Sequence, residues 1–307
     1  MQVSRRGLLK TMAAIGGSLA MSPAKKAAAY EHFVGWPDSY GCLTDLTRCV
    51  GCRTCEGACN EANGLPKPDK PFDDLSVLDN KRRPTDKAFT VVNRYTDPRK
   101  KQDSVFRKTQ CNHCLEPSCA SACLVNAYTK TPEGPVIWNK DVCIGCRMCM
   151  MACHFSIPTF EYNNPTTPKI QKCNLCYSRI KNGGKPACVE ACPGEVLAFG
   201  RRRDLIKLAA DRIRENRADY IDHIYGEREV GGTSWMYISG IPFDHVDLDT
   251  QLGVTPFPEH TRGFLSTVPL VLTMWPALLG GIYLFSQRRE EVTKKEKTNH
   301  KKEEARS

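Results

Sequence analysis

The longest apolar pattern lies near the C-terminal end, where residues 264–286 run for 23 positions without a formal charge. A helix over that stretch covers about 34 Å, enough to cross the hydrocarbon core of a bilayer. Pro269 and Pro276 fall seven apart within it, on one helical face, and predict a bend whose freed backbone groups need cover from neighbouring helices. Residues 203–217 place Leu205, Ile206, Leu208, Ala209 and Ile213 on one side, which predicts an amphipathic helix. Four segments rich in β-branched and aromatic residues read as strands: FTVVNRY and SVFRK inside residues 63–110, PVIWNKDVC before residue 144, and TSWMYIS from residue 233. The last is expected to pack either on the rest of the body or on a partner. Elsewhere hydrophobic periodicity is weak, and cysteines set the pattern instead.

Sixteen of the 17 cysteines fall into four quartets, all ending in C-x3-C. The first is Cys49, Cys52, Cys55 and Cys59; the third, Cys143, Cys146, Cys149 and Cys153, repeats its C-x2-C-x2-C-x3-C spacing 94 positions later. RCVGCRTCEGAC and VCIGCRMCMMAC match around these cysteines, so the chain carries an internal duplication. The second quartet (Cys111, Cys114, Cys119, Cys123) and the fourth (Cys173, Cys176, Cys188, Cys192) have a longer gap before the third cysteine. A tight loop with cysteines three apart turns three thiolates onto one cubane, while the fourth opens a helix and reaches a different cluster, so quartets work in pairs. Paired C-x2-C motifs also build zinc sites, but three cysteines in a row at this spacing suit a cubane better than a tetrahedral ion. A disulfide framework would spread its cysteines as staples, and these are clustered. The expected cofactors are four [4Fe-4S] clusters.

The N-terminal string Ser4-Arg5-Arg6-Gly7-Leu8-Leu9-Lys10, a weakly apolar run and Ala27-Ala28-Ala29 read as a twin-arginine signal over residues 1–29. That route carries folded proteins, so clusters can be inserted before export to an oxidising compartment. Arg288, Arg289, Lys294, Lys295, Lys297, Lys301, Lys302 and Arg306 follow the apolar stretch, and place a basic tail, residues 287–307, in the cytoplasm and the body in the periplasm. The formal charge of +10 is concentrated at the two ends, leaving the body at +2. Four oxidised cubanes at about −2 each would bring it to roughly −6, so no nucleic-acid partner is implied.

Several residues near the quartets have ordinary readings. His154 is expected beside a cluster or at the surface, His113 as a loop residue, and Cys42 as a small buried apolar side chain. Arg53 and Arg147 occupy equivalent places in the repeat, either as cations favouring the reduced cluster or as solvated loop residues. No dinucleotide loop, nucleophile elbow or acid-base constellation is present, so catalysis is expected of partners and not of this chain.

The strings SRRGLLK, TRCVGCRTCEGACN, VFRKTQCNHCLEPSCASAC, VCIGCRMCMMACHFSIPTFEY, KCNLCYSRI, CVEACP, FGRRRDLI and HIYGEREVGGTSWMYISGIPF, with the terminal span, resemble the HmcB/HybA-type periplasmic four-cluster iron-sulfur subunits. FRKTQCNHCLEP and DDLSVLDNKRR incline the resemblance toward the cytochrome-complex branch. The resemblance implies an α+β fold of two bacterial dicluster ferredoxin-like units in tandem, with polar insertions and one C-terminal transmembrane helix. The first unit would comprise residues 30–62 and 161–200, the second residues 111–160, with an insertion at 63–110 and an extension at 201–262. It further implies that Cys49, Cys52 and Cys55 join Cys192; that Cys173, Cys176 and Cys188 join Cys59; that Cys143, Cys146 and Cys149 join Cys123; and that Cys111, Cys114 and Cys119 join Cys153. The implied role is an electron relay between a multihaem cytochrome c or nickel-iron hydrogenase and a quinone-handling, NrfD-type multispan subunit in the lipid bilayer. Two other roles stay open: the electron-transfer subunit of a molybdopterin oxidoreductase, and a membrane-anchored scaffold with structural clusters.

Overall fold

The computed structural model describes residues 38–99 and 103–304; the expected export signal, residues 1–29, lies outside them. In chain order the body comprises β1 (Tyr40–Asp45), α1 (Thr54–Ala62), β2 (Val91–Thr96), β3 (Ser104–Thr109), α2 (Ser118–Ser121), β4 (Tyr128–Lys130), β5 (Val136–Trp138) and α3 (Met148–Met151). It continues with β6 (Thr159–Phe160), β7 (Ile170–Gln171), α4 (Tyr177–Lys181), α5 (Ala187–Glu190), β8 (Leu197–Arg201), α6 (Arg202–Glu215) and β9 (Trp235–Ile238), before the long α7 (Phe257–Glu304).

The organising sheet has the order β8-β1-β9, with β8 antiparallel and β9 parallel to the central strand. Gly41 to Asp45 are all buried, as befits a middle strand covered on both faces. On one face α6 lays Leu205, Ala209 and Ile213 against Leu43, Met236 and Ile238, the i, i+4, i+8 stripe that the sequence predicts. On the other face Cys42, Leu197, Trp235 and Tyr237 join an apolar cluster that includes Cys188 and borders Cys49, Cys55 and Cys192. The indole N–H of Trp235 donates to Thr44 Oγ1 at 2.7 Å, so the buried ring is polar-satisfied. TSWMYIS thus packs within the body, beside β1. Cys42 is fully buried in that strand, the small apolar residue expected of it.

Among the described residues, three small antiparallel pairs, β2-β3, β4-β5 and β6-β7, complete the strands. The β2-β3 hairpin lies within the polar insertion and is tied to the C-terminal extension. Arg107 donates to the carbonyls of Val246 and Asp247 at 2.5 and 3.0 Å, and Asp247 takes Lys81 at 2.7 Å and the Tyr95 hydroxyl at 2.9 Å. The lysine and tyrosine bonds outweigh the burial of Asp247 and hold its carboxyl below the usual range.

The C-terminal helix is longer than the apolar pattern: it starts at Phe257, seven residues before the charge-free stretch, and continues through the polar tail to Glu304. Its apolar part is fully exposed, with a mean hydropathy of 1.8, and it is long and apolar enough to cross a membrane. Both prolines lie inside the helix. Where it leaves the body, Phe257 stacks on the His154 ring, and His154 Nε2 lies 3.2 Å from Ser118 Oγ on α2.

Candidate iron-sulfur centres

The duplicated loops have nearly the same backbone. Gly51 and Gly145 have φ of +70° and +69°, and Arg53 and Arg147, at φ 60° and 63°, form left-handed caps to α1 and α3. This run of left-handed residues wraps the chain around the thiols of each repeat and delivers the next cysteine at a helix start. His113, Leu175 and Cys176 take the same left-handed conformation in the other two quartets. Backbone N–H groups approach sulfur there: His113 N lies 3.4 Å from Cys111 Sγ, Leu175 N 3.4 Å from Cys173 Sγ, and Ala127 N 3.1 Å from Cys123 Sγ.

Four gatherings of thiols result, each drawing its fourth member from a distant quartet. Burial pushes the Cys49 thiol up to about 11, Gly51 N–H pulls against this, and the strongest repelling charge is that of Cys192, ahead of neighbouring Cys52. Cys49, Cys52, Cys55 and Cys192 also line one pocket, with Pro193, Gly194 and Lys108; we call this group site I. In site II burial raises the Cys59 thiol well above its ordinary value, and its thiol neighbours are Cys173, Cys188 and Cys176. In site III burial does the same to Cys114, whose thiol neighbours are Cys111, Cys153 and Cys119. In site IV burial lifts Cys149 to about 11, with Cys143, Cys123 and Cys146 around it. Cys123 itself is shifted down: burial opposes this, but the N–H groups of Tyr128, Val125, Ala127 and Asn126 outweigh it and stabilise its thiolate.

Neighbouring sites also feel one another. Cys55 of site I faces Cys188 of site II, Cys173 of site II faces Cys111 of site III, and Cys119 of site III faces Cys149 of site IV. The four gatherings therefore form a row, I-II-III-IV. Its middle is closed, since Cys111, Cys119, Cys173, Cys176 and Cys188 are buried, while its ends are open: Cys52 of site I and Cys146 of site IV are exposed. Beside them Val50 and Ile144, equivalent in the repeat, are 70% and 62% exposed.

The donor set tests what the sites can hold. Four thiolates around one zinc would stand about 3.8 Å apart, and among the described residues no three Cys, His, Asp or Glu are gathered to hold a single ion. A four-iron cube holds its thiolates wider apart, and soft thiols with N–H donors aimed at sulfur suit it.

The accessory residues divide. Arg53 is not solvated: it is buried, pairs with Glu56 at 2.9 Å and donates to the carbonyls of Pro71 and Asp74 at 3.0 and 2.8 Å. Arg147 is exposed, with its guanidinium over the rings of Phe160 and Tyr162. His113 is in a loop, as expected, yet completely buried; its Nδ1 accepts from Val136 N at 2.9 Å, and its Nε2 has no protein partner. Burial, followed by the charges of Lys172, Lys130 and Lys108, holds its ring far below its ordinary pKa and so neutral. His154 turns to the terminal helix. Sequence reasoning missed the buried Lys108 and Lys172 and the half-buried Lys130, since lysine is ordinarily a surface residue.

Comparison with known proteins agrees with this geometry. Residues 102–202 match the model of the 4Fe-4S dicluster domain. A protein of Nitratidesulfovibrio vulgaris (strain Hildenborough) is 50% identical over 296 residues, covering 96% of this chain and 80% of the relative. The hydrogenase-2 operon protein HybA of Escherichia coli O157:H7 is 34% identical over 277 residues, covering 80% of this chain and 84% of its own length. The chain belongs to the HybA-type 4Fe-4S proteins. The formate dehydrogenase-O iron-sulfur subunit of Escherichia coli K12 is 33% identical over 223 residues, covering 71% of this chain and 70% of the subunit. As a HybA-type protein, the chain binds 4Fe-4S clusters and acts in electron transfer.

Proposed function

We propose that this chain is the non-catalytic relay subunit of a membrane-bound respiratory complex, holding four [4Fe-4S] clusters in its two ferredoxin-like units. Cys49, Cys52, Cys55 and Cys192 hold one; Cys173, Cys176, Cys188 and Cys59 the second; Cys111, Cys114, Cys119 and Cys153 the third; Cys143, Cys146, Cys149 and Cys123 the fourth. The observation that carries the reading is the row of thiol gatherings, closed in the middle and open at both ends. The clusters supply one-electron chemistry; the chain buries the middle sites from water and presents Cys52 and Cys146 to partners. Because α7 leaves the body beside Ser118 and His154, next to site III, the site IV end is assigned to a quinone-handling, NrfD-type membrane subunit. The site I end then faces the redox enzyme or cytochrome c, and the HybA and formate dehydrogenase relatives favour an enzyme of those kinds. We place the body in the periplasm, exported by the twin-arginine route, with the tail in the cytoplasm.

Iron and sulfide analysis with EPR during stepwise reduction tests the count. About sixteen irons per chain are expected; twelve or fewer in fully loaded protein would refute four cubanes. Cys49→Ser and Cys192→Ser should alter the same EPR signal. A shared effect of Cys49→Ser and Cys59→Ser instead would mean that each quartet serves its own cluster.

A further inference from the structure

The second and fourth quartets open with the same loop. Cys111-Asn112-His113-Cys114 matches Cys173-Asn174-Leu175-Cys176, and the third residue of each is left-handed, at φ 49° and 55°, with its N–H 3.4 Å from the first sulfur. Both residues are buried, Leu175 at 1% and His113 at 0% exposed. Leucine is thus compatible with this backbone and this burial, so the loop itself does not call for an imidazole. Three polar groups of His113 are accounted for. Its N–H meets Cys111 Sγ, its carbonyl accepts from Ser234 N at 3.2 Å and Lys130 Nζ at 3.0 Å, and ring Nδ1 accepts from Val136 N at 2.9 Å. A ring that accepts at Nδ1 carries its proton on Nε2. That N–H is a donor out of reach of solvent, and it has no protein acceptor, cysteine sulfurs included. Among the described residues it is the one orphaned side-chain donor lying between two cysteines of a quartet.

A buried N–H without a partner is costly, and folded proteins almost always supply one. Between Cys111 and Cys114 the acceptors that a cubane brings are its inorganic sulfides, and hydrogen bonds to cluster sulfur are one of the means by which a protein sets the potential. We propose, resting on the reading of Cys111, Cys114, Cys119 and Cys153 as the ligands of one cluster, that His113 Nε2–H is donated to a sulfide of that cluster. Site III thereby has a hydrogen bond that the matching loop of site II, with Leu175 in the same place, lacks. Reduction adds one electron and no proton, so the hydrogen stays on Nε2 while the sulfide it faces becomes more negative. The reduced form of site III is favoured by the bond. One side chain thus contributes a difference in potential at the junction between sites II and III.

The test uses full-length, cluster-loaded protein and two substitutions that separate the ring nitrogens. His113→Asn tolerates the left-handed backbone and keeps an amide oxygen near the Nδ1 position for Val136 N, but has no atom where Nε2 stood. His113→Gln reaches that place with its amide donor. In redox titrations with EPR detection, His113→Asn should lower the reduced-to-oxidised ratio of one cluster about tenfold at a fixed ambient potential, or 59 mV for one electron. His113→Gln should return most of the way, and the moved signal should be the one that Cys111→Ser alters. Unchanged midpoints, as a buried water for acceptor would give, a glutamine variant identical to the asparagine one, or a shift confined to another cluster would overturn the proposal. If Cys153→Ser alters a different signal from Cys111→Ser, the ligand set falls, while the hydrogen bond is still read on the cluster of Cys111. Should the His113 variants lose their clusters, wild-type protein with 15N in the histidine rings alone carries the test by pulsed EPR, because the backbone N–H of His113 is then silent. A ring 15N coupling to a reduced cluster that persists in His154→Gln is expected; its absence from the wild type, or its loss in His154→Gln, would overturn the proposal.

Discussion

Arg53 and Arg147 share a sequence position, a left-handed conformation and a helix start, yet the effects of replacing them should differ by between one and two orders of magnitude. The Arg53 side chain is 2% exposed and its partner Glu56 4%. Replacing Arg53 by Met breaks a buried ion pair, which costs about 3–5 kcal/mol, and strips donors from the carbonyls of Pro71 and Asp74. Glu56 keeps Arg82 at 2.5 Å and Val92 N at 2.5 Å, so the lower figure, about 3 kcal/mol, applies. That is roughly a hundredfold in a stability constant. Arg147→Met loses only exposed cation-ring contacts, about 0.5–1 kcal/mol, or under tenfold. The same backbone strain is present before and after both changes, so the difference isolates the side chains. Cluster loss makes unfolding irreversible, and the measurable quantity is a rate: loss of visible cluster absorbance at a fixed denaturant concentration. Arg53→Met should bleach many tens of times faster than wild type, and Arg147→Met within tenfold of it. Equal rates for the two variants would refute the idea that Arg53 anchors residues 71–74 to the first cluster loop.

A parallel asymmetry is expected at the paired glycines. A Cβ on Gly51 would meet the Phe106 ring at 2.4–2.8 Å, whereas one on Gly145 would meet nothing closer than 3.7 Å. Both alanine variants carry the left-handed cost of about 1–2 kcal/mol, but only Gly51→Ala should also displace site I, seen as a changed EPR line shape. Removing iron with a chelator should unfold most of the body, because cysteines form part of three of its apolar clusters and metal binding supplies folding free energy; unchanged far-UV circular dichroism would contradict this. Truncation after Arg262 should release a soluble, cluster-loaded body that still exchanges electrons with its redox partner but loses quinone-linked activity. Full activity in the membrane complex would reduce the helix to an accessory anchor.

What could be read from the sequence follows the range of the forces involved. The cysteine spacing is a local covalent pattern, legible in any window that holds one quartet. The β2-β3 hairpin and α6 were legible because their apolar residues keep a local period. Strand β1 was not legible: Tyr40–Asp45 is six residues with a glycine, a cysteine and an aspartate, and it is a strand because Leu197–Arg201 and Trp235–Ile238 pair with it. Arg53 and Arg147 looked alike because their neighbours in sequence are alike. Only the insertion, arriving over one repeat and not the other, buries the first. Lys172 escaped notice for a related reason: its nearest acceptor is the carbonyl of Val136, 36 positions earlier in the chain.

The pairing of β1 with β9 has a consequence for how the protein is made. Thr44 waits for Trp235, 191 residues later, before its side chain is bonded, and Cys49 waits for Cys192. At the usual synthesis rate of about 5–20 residues per second, the ribosome works for roughly 10–40 s between the two ends of that sheet. Throughout that interval the first cluster loop lacks the strand that packs behind it in the folded body. The early part of this chain therefore stays unpaired for longer than that of a ferredoxin of contiguous sequence. Strand β9 is the clasp that closes it.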